Sequence, residues 1–195
     1  MRAHAVKDYD SVLQALSEPG CPLCVFLKNV QSKLLQEGAV EEFMMLCNAH
    51  AWALAAVRHS ATAAQIFRSL LERTSRREHR ECSVCLRLDQ EETLRVQELL
   101  ASLGRRRVLE WIERKGVLCL PHGLRMREDA SESARALIDR ILERRRQELQ
   151  EALGESMLEA GQRDTEHGGL LGRAAEYLVS QRGVALRSAQ AVRHG

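Results

Sequence analysis

A chain of 195 residues, 45% hydrophobic and 29% charged, suits one compact domain or two small ones and excludes a large multidomain enzyme. Three prolines, twelve glycines, four Ile and four Thr, set against abundant Ala, Leu, Arg and Glu, exclude collagen-like and β-rich readings and point to an all-α protein. Basic and acidic residues nearly cancel, 29 against 27, which removes the simplest electrostatic case for nucleic-acid binding, although residues 73–127 are mildly basic. No apolar run reaches the ~18 residues of a membrane span, and the N-terminus lacks a signal-peptide core, so a cytoplasmic protein is expected.

In chain order, Asp10 can cap a short helix over 11–17, stopped by Glu18-Pro19-Gly20. A second helix is predicted from about Cys24 to Gln36, ended by Gly38. A third runs from Glu41 or Cys47 to about Arg73, with Leu54, Val57, Ala61, Ala64 and Leu71 at helical spacing. After a polar stretch, Cys82 and Cys85 open a helix to about Leu103, Gly104 punctuates, and RRRVLEWIERK makes a shorter one. CLPH then leads towards a long helix from about Ser131 to Leu158, with Ala134, Ile138, Ile141 and Leu142 on one face. GQRDTEHGG reads as a linker, GLLGRAAEYLVSQ as a last helix, and 183–195 as a disordered tail.

The chain repeats itself once. Cys21, Cys24, Cys47 and His50 form C-x2-C followed by C-x2-H across 22 residues, and Cys82, Cys85, Cys119 and His122 form the same pattern across 33. Every cysteine is used, and the three prolines fall beside or within these motifs. In the cytoplasm thiols stay reduced, so metal or redox chemistry is favoured over disulfides. Three thiolates and an imidazole form a closed structural zinc set with no open position for catalysis. Two structural zinc ions are therefore expected, with a net charge of about minus one per site that Lys28, Arg80 and Arg87 could offset.

Iron-sulfur clusters are the main alternative. Dithiol redox chemistry lacks its βαβ setting, c-type haem is excluded because Val25 and Leu86 follow the cysteine pairs, and uncoordinated core cysteines are the bland reading. Sequential pairing, 21/24 with 47/50 and 82/85 with 119/122, is favoured on loop-closure entropy; a crossed arrangement stays open.

His4, His59, His79, His167 and His194 show no site-like spacing, and His59 reads as partly buried. No nucleophile elbow, Walker A or dinucleotide fingerprint is present, and the carboxylate runs read as solvated helix faces, so no catalytic centre is visible. Arg105–Arg107 and Arg144–Arg146 are the best nucleic-acid candidates but read more simply as exposed helix surface. Phe43, Trp52, Phe67 and Trp111 are expected in the core.

The segments CPLC, LCNAHAWAL, CSVC and WIERKGVLCLPHGL, within about residues 18–125, resemble a bacterial family of small cytoplasmic proteins of uncharacterised activity, a domain of unknown function. The resemblance implies the same eight ligands and no known activity. Val117-Leu118 and Gly123 stand where the family tends to have aromatics, which would thin the packing around Cys119 and His122.

The expected architecture is thus an all-α bundle of helical hairpins stapled by two Cys3His sites. It has a tandem metal-binding region over 1–125, in units of about 18–73 and 79–125, and C-terminal helices over 126–182. The expected role is a non-enzymatic adaptor or scaffold with another protein as partner, without membrane contact and with nucleic acid not favoured.

Overall fold

The computed structural model describes residues 9–57, 60–74, 81–115, 117–158 and 164–179. Among them the chain is all-α: helices α1 (Tyr9–Ser17), α2 (Pro22–Glu37), α3 (Asn48–Val57), α4 (Ser60–Thr74), α5 (Ser83–Ser102), α6 (Arg106–Lys115), α7 (Leu120–Asp129), α8 (Glu132–Leu158) and α9 (Asp164–Val179), with one 3-10 turn at Val40–Glu42. No described helix is long and apolar enough to cross a membrane.

The described residues form two compact units, one of 9–26 with 94–179 and the other of 27–93, so the division falls within α2 and α5. In the first unit, α1 packs on α6, and α7, α8 and α9 pack on one another. Its core joins Val12 and Leu16 of α1, Leu23 of α2, Val96 and Leu99 of α5, Val108 of α6, Met126 of α7, and Ile138, Ile141 and Leu142 of α8. Each such buried side chain contributes about 1.5–3 kcal/mol, which is what makes a long-range assembly of short helices stable.

The α7–α8 corner is held by more than apolar contact. Ser131 Oγ accepts the Ala134 N–H at the start of α8 (3.4 Å). Arg135 Nε donates to the Arg127 carbonyl near the end of α7 (2.9 Å), satisfying an acceptor that the helix leaves open. Tyr177 of α9, buried, donates its hydroxyl to the Leu142 carbonyl at 3.0 Å. These contacts make the C-terminal helices part of the first unit's core.

In the second unit the 3-10 turn and α3 both pack against α4, and Leu27, Leu35, Phe43, Leu54, Ile66, Val84 and Leu88 are buried. Gly38 ends α2: its N–H bonds the Leu34 carbonyl at 2.9 Å, and a Cβ there would lie 2.5 Å from that same oxygen. Only glycine fits this turn.

Several expectations are corrected. The third predicted helix is a 3-10 turn followed by α3 and α4, and residues 58–59, including His59, lie outside the described residues. On α4 the buried face is Ala63, Ile66 and Leu70, while Ala61, Ala64 and Leu71 are exposed. Apolar residues stand on both sides of α4, so periodicity alone leaves its rotation undecided. CLPH opens a separate helix, α7, before α8. Helix α9 begins at Asp164 inside the expected linker, and α1 begins at Tyr9, which puts Asp10 in its first turn instead of at its cap. The tail at 183–195 lies outside the described residues.

Candidate metal centres

All four motifs occupy the same helical register. Cys21, Cys47, Cys82 and Cys119 each stand immediately before a helix, at the position that caps α2, α3, α5 and α7. Each carbonyl accepts the first helical N–H, from Val25 (3.1 Å), Ala51 (2.9 Å), Leu86 (3.0 Å) and Gly123 (2.9 Å). The second ligand of every motif, Cys24, His50, Cys85 or His122, then falls three residues on, in the first turn and on the same side. Pro22 and Pro121 sit in first turns, where their missing N–H costs nothing. Gly20, at φ 102°, supplies the left-handed backbone that delivers the chain from α1 into Cys21.

The four helix starts meet in two pairs. Cys21, Cys24, Cys119 and His122 form one group (centre 1), and Cys47, His50, Cys82 and Cys85 form the other (centre 2), with all ligand atoms of each within 4.8 Å of one another. This is the crossed pairing, and it overturns the sequential one. Loop closure scales only with the logarithm of length, so sequential pairing is worth about 1 kcal/mol, less than burial of a single core side chain. Centre 1 lies wholly in the first unit and centre 2 wholly in the second.

A zinc ion with sulfur at ~2.3 Å and nitrogen at ~2.0 Å sets tetrahedral edges of about 3.8 Å between sulfurs and about 3.5 Å from sulfur to nitrogen. In centre 1, Cys24 Sγ to Cys119 Sγ is 3.7 Å, and His122 Nδ1 is 3.5, 3.4 and 3.1 Å from the sulfurs of Cys21, Cys24 and Cys119. In centre 2, Cys47 Sγ to Cys85 Sγ is 3.8 Å, and His50 Nδ1 is 3.3, 3.4 and 3.4 Å from the sulfurs of Cys47, Cys82 and Cys85. Both groups have the size and donor set of a single four-coordinate ion.

The electrostatics of both clusters are compatible with a cation in the middle. At Cys21 burial opposes ionisation, but hydrogen bonds from Cys119 and Cys24 and the charge of His122 outweigh it and hold the thiol well below its ordinary range. Cys119, hydrogen-bonded to Cys21 and Cys24 and buried, is pushed far upward. Burial lowers His122, yet the thiolate charge of Cys21 and hydrogen bonds to Cys21 and Cys24 raise it to about 10. In centre 2 burial, then the charge of Cys82, pushes Cys85 up to about 12, and burial alone lowers His50. In each cluster thiolate charge opposes ionisation of a further thiol, Cys119 in centre 1 and Cys85 in centre 2, and a dication would offset that repulsion.

Neither Lys28 nor Arg87 supplies the expected counter-charge as a buried partner: Lys28 is exposed, Arg87 pairs with Glu91 at 3.1 Å, and Arg80 lies outside the described residues. The positive ends of two helices face each cluster instead, each equivalent to roughly half an elementary charge. At centre 1, Arg145 of α8 and Arg173 and Tyr177 of α9 line a cleft shared with Cys21, Cys24 and Cys119. The sequence marked Arg145 only as part of an arginine run, and nothing in its spacing marked Arg173 or Tyr177.

Gly123 was expected to thin the packing beside His122. It does the opposite: it is buried, and a Cβ on it would lie 2.7–3.0 Å from three atoms of Leu142. The missing side chain lets α8 close onto the ligand helix. Phe43 is fully buried and Trp111 packs partly buried on the first core, but Trp52, two residues after His50, is 73% exposed and is not a core residue. Arg105–Arg107 are exposed as expected, whereas Arg145 is largely buried.

Searches of protein-family models, curated proteins and solved structures found no match to this chain.

Proposed function

We propose that the chain is a non-enzymatic protein that carries two structural zinc ions and acts as an adaptor or scaffold. The observation that carries the metal reading is the size of the two ligand groups, whose sulfur edges of 3.7 and 3.8 Å fit one tetrahedral ion each. Iron-sulfur clusters fit less well, because a cluster spreads its four protein ligands over two or four irons and holds ligands of different irons further apart than these are. Four protein donors fill the coordination sphere, leaving no place for a reacting water or substrate.

Trp52 supports the adaptor reading. A largely exposed indole on a helix fixed at its first turn by His50 is a rigid, amphipathic anchor of the kind that dominates protein interfaces. The arginine clusters favour nucleic acid less, since Arg106 pairs with Glu110 at 2.7 Å, Arg145 with Glu148 at 3.1 Å, and Arg146 with Glu143. The testing experiment is elemental analysis with a visible spectrum on anaerobically purified protein. About two zinc per chain and no colour are expected. Iron with acid-labile sulfide, or no metal at all, would overturn the metal reading. For the adaptor role, Trp52→Ala should abolish binding to a partner captured by the wild type while leaving the zinc content unchanged; equal binding by both proteins would refute that anchor.

A further inference from the structure

The two centres have the same ligands but different surroundings. In centre 1 all four are nearly inaccessible, with Cys21 at 3%, Cys24 at 0%, Cys119 at 2% and His122 at 0%, and its three cysteines belong to the first unit's apolar core. In centre 2, His50 is buried but Cys47 and Cys85 are partly exposed, and their sulfurs stand 3.8 Å apart. Susceptibility of thiolates to oxidants follows exposure.

Centre 2 also has a clasp that does not depend on a metal. The Met45 carbonyl accepts both the backbone N–H and the hydroxyl of Ser83, at 3.0 and 3.1 Å. Met45 lies two residues before Cys47 and Ser83 two residues before Cys85, so the clasp holds the two chain segments together beside the two accessible sulfurs. Closing the gap to the ~2.05 Å of a disulfide asks for local side-chain and first-turn adjustment, not for a search by free chains.

We propose that Cys47 and Cys85 form a peroxide-sensitive modification site, oxidised to a disulfide with release of the metal from centre 2 while centre 1 keeps its own. This rests on the zinc reading above. One thiolate attacks a peroxide oxygen, the O–O bond breaks, and with one proton the products are a sulfenic acid and water. The other thiolate attacks that sulfenic sulfur and, with a second proton, water leaves as the S–S bond forms. In total two thiolates, one hydrogen peroxide and two protons give one disulfide and two waters. Peroxide takes up the two electrons, and zinc departs because two of its three thiolates are gone.

The test uses the intact two-zinc protein, titrated with hydrogen peroxide while released zinc is read with a colorimetric chelator and cysteine states are mapped by mass spectrometry. The first phase should release one zinc and yield a Cys47–Cys85 disulfide with Cys21, Cys24 and Cys119 still reduced, and the second zinc should leave at least about tenfold more slowly. A thiol reductant with added zinc should restore the starting state. Release of both ions at one rate, or first oxidation at Cys21, Cys24 or Cys119, would overturn the proposal and leave the zinc reading standing. Protein that contains no zinc before peroxide is added would fail the zinc reading itself, and this proposal with it.

Discussion

Gly123→Ala tests whether the C-terminal helices belong to the fold around centre 1. The added methyl would sit 2.7, 2.8 and 3.0 Å from Cδ2, Cδ1 and Cγ of Leu142, about 1 Å inside ordinary carbon–carbon contact. Leu142 is only 7% exposed, so α7 and α8 must part or Leu142 must leave its rotamer. Overpacking of this kind costs about 1–3 kcal/mol, against a gain of about 1 kcal/mol from replacing glycine by alanine within a helix. A net loss of about 1 kcal/mol is expected. In a Leu142→Ala background, itself destabilised by about 2–5 kcal/mol, the clash is gone and only the helix gain is left, so the same substitution should stabilise by up to about 1 kcal/mol. The coupling between the two positions is then about 2 kcal/mol. Urea unfolding of the four proteins at one fixed free zinc concentration measures it, since bound metal adds to stability by mass action. Gly123→Ala acting with the same sign in both backgrounds would refute the packing argument.

The crossed pairing predicts that Cys21→Ser with Cys119→Ser retains one metal ion, because both residues serve centre 1, whereas Cys21→Ser with Cys47→Ser retains none; the opposite order in metal analysis would restore sequential pairing. Acidification should release metal and destabilise the second unit. Protons compete for three thiolates there, and burial lowers His50, so the folded state binds fewer protons than the unfolded one and stability is lost as pH falls through and below 6.5. Urea midpoints that rise between pH 7.5 and 5.5 would contradict this. Tyr177→Phe removes the hydroxyl that bonds the Leu142 carbonyl and should cost about 1 kcal/mol in the same unfolding assay, with no change in metal content; no measurable loss would mean that α9 is held by apolar contact alone.

The helical class, and the grouping of the eight Cys and His residues into four helix-opening motifs, were legible in the sequence because they are local. A cap residue followed three positions later by a second donor needs only one turn of helix to point both at the same place. The long apolar face of α8, with Ile138, Ile141 and Leu142 buried, was readable for the same reason. Which motif meets which was not local. Any two of the four helix starts can complete a Cys3His or similar set, and loop entropy separates the choices by only about 1 kcal/mol. The decision fell to packing: Leu142 against Gly123, Tyr177 against the Leu142 carbonyl, and a core that gathers α1, α2, α5, α6, α7 and α8 around Cys21, Cys24 and Cys119. The same packing buries centre 1 completely and leaves Cys47 and Cys85 of centre 2 partly open, a difference that two identical motif pairs do not encode by themselves. Donor chemistry is a property of residue type and spacing, whereas pairing and exposure depend on side chains remote in the chain that come together only in the folded state.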